Sequence, residues 1–303
     1  MGLQVNFGAI EGLPKALADS SSGVSSIYSY QTCDKTWEDI DALRAGRAIF
    51  TQPQGVIKCA GGQFSILYCY PELPSPDYPQ PLTFVLLYIT APQKIMWMAW
   101  DRYRKTGRQN QIKVDFFTGM PTMFSVKKYS DALEAMRVDR GVGGYFGRNL
   151  VSVDTANRKA VFKNVADGTE SKEDYTLLHV TPPMGPLSVI KGSPIADAAG
   201  WVEVDKGSLQ HVKPEYSNIF ALGDASSLPT SKTAAAITKQ APVLTENLFH
   251  LLDNGKIGSS VYDGYTSCPV RPFGRMVRRV TETEFSSMGL APDRLRRAHA
   301  GRI

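Results

Sequence analysis

Hydrophobic positions along the chain change period several times, and the changes mark the elements. Leu3, Val5 and Phe7 alternate with polar residues, as on a half-buried strand. Residues 36–43 carry a helical spacing, with Thr36 placed as the cap and Gly46 as the stop. Residues 47–51 predict a strand, and 55–61 a strand end running into a glycine turn. Residues 91–106 predict a helix with Pro92 in its first turn and Gly107 after its end. A strand over 111–117, a helix over 128–137, and strands over 149–153 and 159–163 joined by a turn at Asn157 follow. Residues 175–180 predict a buried strand, and 201–205 and 218–223 two more. A long helix begins near Ser231 and runs to about Leu252. Strands alternating with helices predict an α/β domain with a largely parallel sheet.

Two stretches do not fit this rhythm. Residues 62–90 hold Pro71, Pro74, Pro76, Pro79 and Pro81, which excludes helix and central strand. Residues 271–303 form an Arg-rich tail without clear period. The longest apolar run, 83–89, is far shorter than the roughly 20 residues that span a bilayer. The N-terminus has neither the basic and apolar regions of a signal peptide nor the Arg-rich pattern of a transit peptide.

At 43% hydrophobic and 21% charged, the chain is globular, and its 303 residues suffice for two cores. The net charge of +5 is not gathered into a basic stripe, so nucleic acid is not an expected partner. Cys33, Cys59, Cys69 and Cys268 lie far apart with no CxxC pair, which argues against a zinc site or a disulfide scaffold. The run Gly141-Val142-Gly143-Gly144 with Gly147 follows a helix and precedes a strand. That is the reverse of the order a dinucleotide loop requires. His179 ends an apolar strand and reads as a core histidine rather than a base.

The segment from Asn218 to Ala236 is the most informative. A strand ends in Gly223-Asp224; after a turn, a helix opens on the hydroxyl and small residues Thr230-Ser231-Lys232-Thr233-Ala234-Ala235-Ala236. A carboxylate at a strand end suits a ribityl hydroxyl, and small residues let a planar ring approach the helix. A helix N-terminus with Lys232 beside it suits an anion. This segment resembles the flavin-closing motif of the two-dinucleotide-binding-domain flavoproteins. Three more stretches narrow the resemblance to the mitochondrial-type sulfide:quinone oxidoreductases. Val56-Ile57-Lys58-Cys59-Ala60-Gly61, continued at Ala91-Pro92-Gln93-Lys94, looks like that family's first redox-cysteine motif. His179-Val180-Thr181-Pro182-Pro183-Met184 looks like its flavin-facing loop, and Tyr262-Asp263-Gly264-Tyr265-Thr266-Ser267-Cys268-Pro269 like its second redox-cysteine motif. Residues 196–202 match as well. The resemblance covers about 1–61 and 91–270.

The resemblance implies a partial two-dinucleotide-binding-domain flavoprotein fold with FAD as cofactor. It implies that Cys59 and Cys268 are a redox pair bridged by sulfur. Hydrogen sulfide attacks, a persulfide forms on Cys268, and electrons pass from Cys59 through the flavin to ubiquinone. The persulfide sulfur leaves to glutathione or sulfite. Asp224 and Gly223 contact the ribityl chain, Lys232 and Thr233 the ring edge, and Pro183 the flavin face. Lys58 favours the Cys59 thiolate or points to solvent. The implied location is the mitochondrial inner membrane, as a peripheral contact.

The implied layout divides the chain at its motifs. Residues 1–61 close the first flavin segment and open the second domain, and 62–90 is an insert foreign to the family pattern. Residues 91–185 form the second dinucleotide-binding-like domain and 186–265 the return segment of the flavin domain. Residues 266–303 carry the second cysteine motif and the tail. No GxGxxG follows an opening strand, and no C-terminal amphipathic segment is visible. Two alternatives therefore stand beside the enzyme: a flavin-poor, inactive remnant of it, and a type II NADH:quinone oxidoreductase. Hydride transfer from a nicotinamide needs no redox thiol pair, so the two cysteine motifs weigh against the latter.

Overall fold

The computed structural model describes residues 2–57, 91–125, 127–230 and 232–266. Cys59, Cys69, Cys268, Lys58, Ser231, the Pro-rich stretch 62–90 and the Arg-rich tail lie outside the described residues.

The elements in chain order are β1 (Gln4–Val5), α1 (Leu13–Ala18), β2 (Val24–Ser25), α2 (Cys33–Ala42), β3 (Gly46–Gln52), α3 (Ala91–Lys105), β4 (Ile112–Thr118), α4 (Lys127–Asp139), β5 (Gly143–Phe146), β6 (Arg148–Asp154), β7 (Lys159–Asn164), β8 (Glu170–Asp174), β9 (Leu177–His179), β10 (Met184–Gly185) and α5 (Ala234–Asn254). Five strands form a parallel sheet in the order β2-β9-β3-β4-β5, and β6-β7-β8 form an antiparallel sheet.

Strand period explains the layering. On β3 and β4, Ala48, Phe50, Val114 and Phe116 face one side, where they meet Ile95, Met96, Ala99 and Tyr103 of α3, Ile40 of α2 and Leu133 of α4. The alternate residues Ile49 and Phe117 face the other side and meet Leu150 and Val153 of β6, Phe162 of β7 and Leu13 of α1. The result is three layers: helices, parallel sheet, antiparallel sheet. The parallel sheet is covered on both faces, as parallel sheets require.

Arg47 joins the two sheets. Its Nε donates to the Asp115 carboxylate on β4 at 2.5 Å and its Nη1 to Glu173 on β8 at 2.7 Å. The guanidinium also lies over the Phe117 ring, 5.7 Å from the centroid. Asp115 has no exposed side-chain surface, so the guanidinium takes the place that water would hold at the surface.

A third cluster lies after β10. Val202, Val204, Leu209, Ala221, Leu228 and Tyr262 pack around Val243 of α5. The inward stripe of α5 is Ala236, Gln240, Val243 and Asn247, a helical spacing. Two of these are polar and bond across the cluster: Gln240 Oε1 accepts from the Gly223 N–H at 2.7 Å, and Asn247 Nδ2 donates to the carbonyls of Ser208 and Ser260, while Asn247 Oδ1 has no partner among the described residues. The segment Gly2–Asn6 links this cluster to the sheets. β1 pairs with β10, and a Cβ added at Gly2 would lie 2.5 Å from the Ala225 nitrogen, so only glycine fits there.

Several expectations change. Thr36 is not a cap: α2 begins at Cys33 after Thr32, and the buried Thr36 hydroxyl donates to the Thr32 carbonyl at 2.9 Å. Gly46 does not stop α2 but opens β3; Leu43 ends the helix. The alternation at Leu3–Phe7 yields only the two-residue β1, because residues 7–9 turn into a 3-10 helix. Residues 201–205 and 218–223 are not strands; they make isolated bridges such as Val204–His211 and Gln210–Phe220. Their backbone groups bond neighbouring loops instead: the Glu203 N–H donates to the Ile195 carbonyl at 3.0 Å and the Ala221 N–H to the Leu209 carbonyl at 3.1 Å. The glycines at 143 and 144 lie inside β5, after α4, as their order required.

Replacing Arg47 with Met leaves the buried Asp115 carboxylate only the more distant Lys113 Nζ, 3.4 Å away, and is expected to cost about 3 kcal/mol. Glu173→Gln removes only a partly exposed partner and is expected to cost under about 1 kcal/mol. Urea denaturation of both variants checks the contrast.

Candidate cofactor and thiol site

The carboxyl ends of β3 and β9 lie side by side, because the two strands pair in parallel with Phe50 opposite His179. In open α/β sheets this edge is where ligands bind. A single hydroxyl clasps the two chains as they leave the sheet. Thr51 Oγ1 donates to the His179 carbonyl at 3.3 Å and accepts from the Thr181 N–H at 3.1 Å. Beyond Thr51 the chain runs through Gly55, Val56 and Ile57 toward Cys59. Beyond Thr181 it runs through Pro183, whose carbonyl accepts from the Asn6 N–H at 2.9 Å.

His179 is fully buried. Its Nε2 accepts from the Ile27 N–H at 3.3 Å, and its ring stacks on Phe50 at 5.8 Å. Burial pushes its pKa down to about 3. The imidazole is therefore neutral at neutral pH and is no base for the site. Its Nδ1 has no partner among the described residues.

The other candidate residues gather at the start of α5. Gly223 takes a positive φ of +62°, and a Cβ there would meet Ile237 at 3.0 Å. Asp224 follows, largely buried. Thr233 caps α5: its Oγ1 accepts from the Ala236 N–H at 3.2 Å and bonds the Thr266 hydroxyl at 3.0 Å. Ala234, the first helical residue, is exposed, and its N–H and that of Ala235 have no partner within the helix. Lys232 is buried; its Nζ donates to the Ser226 carbonyl at 2.9 Å and lies 4.1 Å from the Trp201 ring centroid. Burial lowers its pKa to about 8, and the Asp224 and Asp197 carboxylates pull it back up.

A pocket of about 300 Å³ opens here, lined by Val56, Ile57, Trp201, Ser226, Leu228 and Lys232 among others. The residues that precede the two cysteine motifs approach the start of α5 from two sides. Ile57, two residues before Cys59, is buried in the pocket wall with Lys232. Thr266, two residues before Cys268, is buried against Thr233. Gly223, Asp224, Lys232 and Thr233 thus come together, whereas Pro183 is tied to them only through Gly2–Asn6. Thr51, Trp201 and Thr266 went unassigned in the sequence, although Trp201 and Thr266 lie within matched motifs. Among the described residues no group of His, Cys, Asp and Glu could hold a metal ion. No helix among them is long and apolar enough to cross a membrane.

The sheet covered by helices on one face and by an antiparallel sheet on the other is an α/β dinucleotide-binding fold. Solved structures agree. A chain of the Tetrahymena thermophila mitochondrial ATP synthase tetramer superposes with a TM-score of 0.65, at 21% identity over 89% of this chain and 59% of that one. The sulfide:quinone oxidoreductase of Aquifex aeolicus superposes with a TM-score of 0.58, at 13% identity over 84% and 53%.

Sequence comparison goes further. The chain is homologous to mitochondrial sulfide:quinone oxidoreductases. It is 44% identical to that of Dictyostelium discoideum over 274 residues, 89% of this chain and 52% of the relative. It is 42% identical to that of Schizosaccharomyces pombe over 279 residues, 91% and 54%. The chain therefore spans about half the length of the curated relatives it matches. No protein-family model matches it.

Two outcomes follow from this geometry. Thr233→Ala removes the α5 cap and the tether to Thr266, with an expected loss of about 1 kcal/mol; Thr233→Ser is expected to retain most of it, as denaturation curves would show. The second concerns pH. The folded chain keeps His179 neutral, while the unfolded chain protonates it below about 6.5. Its contribution to stability is thus fully present above that pH and is lost as pH falls toward 3. His179→Phe is expected to flatten the fall of stability between those values, by up to about 1.4 kcal/mol per pH unit.

Proposed function

We propose that this chain carries the thiol pair and the flavin-closing part of a mitochondrial sulfide:quinone oxidoreductase. The observation that carries the reading is the convergence of the two cysteine-bearing segments, at Ile57 and Thr266, on Lys232 and Thr233. Homology over nine-tenths of the chain supports it.

The residues at that place fit a flavin. Asp224 at the turn offers a carboxylate for the ribityl hydroxyls, with Gly223 giving the tight approach. The α5 N-terminus and Lys232 offer positive charge to an anionic ring edge, and the loop at Pro183 offers a rigid apolar face. FAD bound there supplies a two-electron acceptor that the protein itself lacks.

The chain's own groups handle the sulfur. Hydrosulfide forms a new S–S bond at Cys268 as the bond from Cys268 to the sulfur bridge breaks. The bonding pair leaves on the Cys59 side as an anionic sulfur. The substrate sulfur is oxidised to a persulfide on Cys268, and the sulfur on Cys59 holds the two electrons for onward transfer to ubiquinone. The persulfide sulfur passes to a nucleophilic acceptor such as glutathione or sulfite. Positive charge from Lys232 and the α5 dipole stabilises the anionic sulfur that this step creates. The mitochondrial inner membrane, where ubiquinone resides, is the proposed location.

The test is to purify the chain with FAD, then add sulfide and a quinone analogue. Flavin retention with sulfide-dependent bleaching is expected, and Cys268→Ser is expected to slow the bleaching about a thousandfold or more. A chain that retains no flavin, or a Cys268→Ser variant that bleaches at the original rate, would falsify the reading.

A further inference from the structure

We propose that Trp201 is a positioning residue whose indole face holds the Lys232 ammonium in the pocket, keeping its charge available to the anionic form of the cofactor. This rests on the reading of Lys232 as part of the flavin site.

The geometry is specific. Lys232 Nζ lies 4.1 Å from the Trp201 ring centroid, within the range in which a cation is drawn to the ring's negative face. Of its three N–H donors the described residues accept one, at the Ser226 carbonyl. An ammonium with so few oxygen partners in the interior tends to lose its proton, and its pKa does fall to about 8. An indole face is the side-chain surface that most strengthens a cation without itself carrying charge.

Trp201 is in turn fixed from behind. Asp197 Oδ1 accepts from the Trp201 and Ala199 N–H groups, each at 2.9 Å, and the Asp197 N–H donates to the Trp201 carbonyl at 2.7 Å. Gly200, at φ +94°, closes this turn. The Asp197 carboxylate thus shapes the turn that carries the ring and also attracts the ammonium. Asp224 attracts it from the turn before α5. The remaining pocket residues, including Val56, Ile57, Ser227 and Leu228, are uncharged, so no other lining group competes for Lys232.

The experiment uses the flavin-free chain first. Acetylation of Lys232 by acetic anhydride, read by peptide mass spectrometry across a pH series, reports when the amine becomes neutral. Trp201→Leu is expected to lower the labelling midpoint by about one pH unit, a tenfold rise in the ratio of neutral to protonated amine. Trp201→Phe and Trp201→Tyr should fall between Leu and Trp, with Tyr nearer to Trp; this order serves even where the Leu variant does not fold. A midpoint that rises or stays put would mean that the ring merely shields Lys232, and the proposal would be wrong.

The flavin-loaded chain gives the second readout. Lys232→Met and Trp201→Leu are both expected to lower the flavin midpoint potential, with little further change when combined. A drop with Lys232→Met but not with Trp201→Leu overturns the positioning role. A chain that takes up no flavin overturns the proposed function instead, and the labelling midpoints then still decide the Trp201–Lys232 contact.

Discussion

The site depends on one hydroxyl at the carboxyl edge of the parallel sheet. Thr51 bonds both backbone partners that adjoining β9 presents, the His179 carbonyl and the Thr181 N–H. Both groups are buried, and a buried backbone group left without a partner costs about 1–3 kcal/mol. The clasp fixes where two chains leave the sheet: the one that leads to Cys59 and the one that leads to Pro183. Parallel pairing makes this possible, because it brings the carboxyl ends of both strands to one edge.

The rest of the architecture holds that edge still. Arg47, near the start of β3, ties it to β4 in its own sheet and to β8 in the antiparallel sheet through Asp115 and Glu173, so the strand carrying Thr51 is locked to its neighbour and to the layer below. The unit around α5 has little sheet of its own and relies on side chains. Gln240 holds the Gly223 turn, and Asn247 holds the loops at Ser208 and Ser260. The segment Gly2–Asn6 then joins this unit to the Pro183 loop. A site assembled from loops on rigid elements is the usual arrangement for binding and catalysis.

Much of this was legible in the sequence where one local signal decided the outcome. The helix over 91–106 had proline at its start and glycine past its end, and α3 occupies it within one residue. Strands β3, β4 and β9 were visible as apolar runs, and the α/β class followed from their alternation with helices. The signal misled where tertiary bonds outvoted it. Thr36 has the chemistry of a cap, but four residues earlier Thr32 bonds the Ser26 carbonyl and begins the helix. Residues 201–205 and 218–223 have strand-like composition, yet a strand needs a ladder and these find only single bridges. For the site, the motif Gly223-Asp224 was readable, and the helix was read as starting near Ser231, three residues ahead of Ala234, where α5 begins. The pairing of Trp201 with Lys232, 31 positions apart, was not, because no local pattern encodes a cation meeting a ring across a turn.

The two anchors of the cysteine segments are chemically different, and the difference bears on their roles. Thr266 is held by a hydroxyl–hydroxyl bond to Thr233, the same residue that caps α5. The Cys268 segment is thereby bonded directly to the helix end whose dipole offers positive charge. Ile57 is held by apolar burial in the pocket wall, which is non-directional and tolerates small shifts. In the proposed step the bond is exchanged on the Cys268 side of the bridge, where sulfide attacks, and a directional anchor at Thr266 would hold that segment in line for the attack. The sulfur left on Cys59 would then turn from the bridge toward the electron acceptor, a shift that an apolar anchor at Ile57 tolerates.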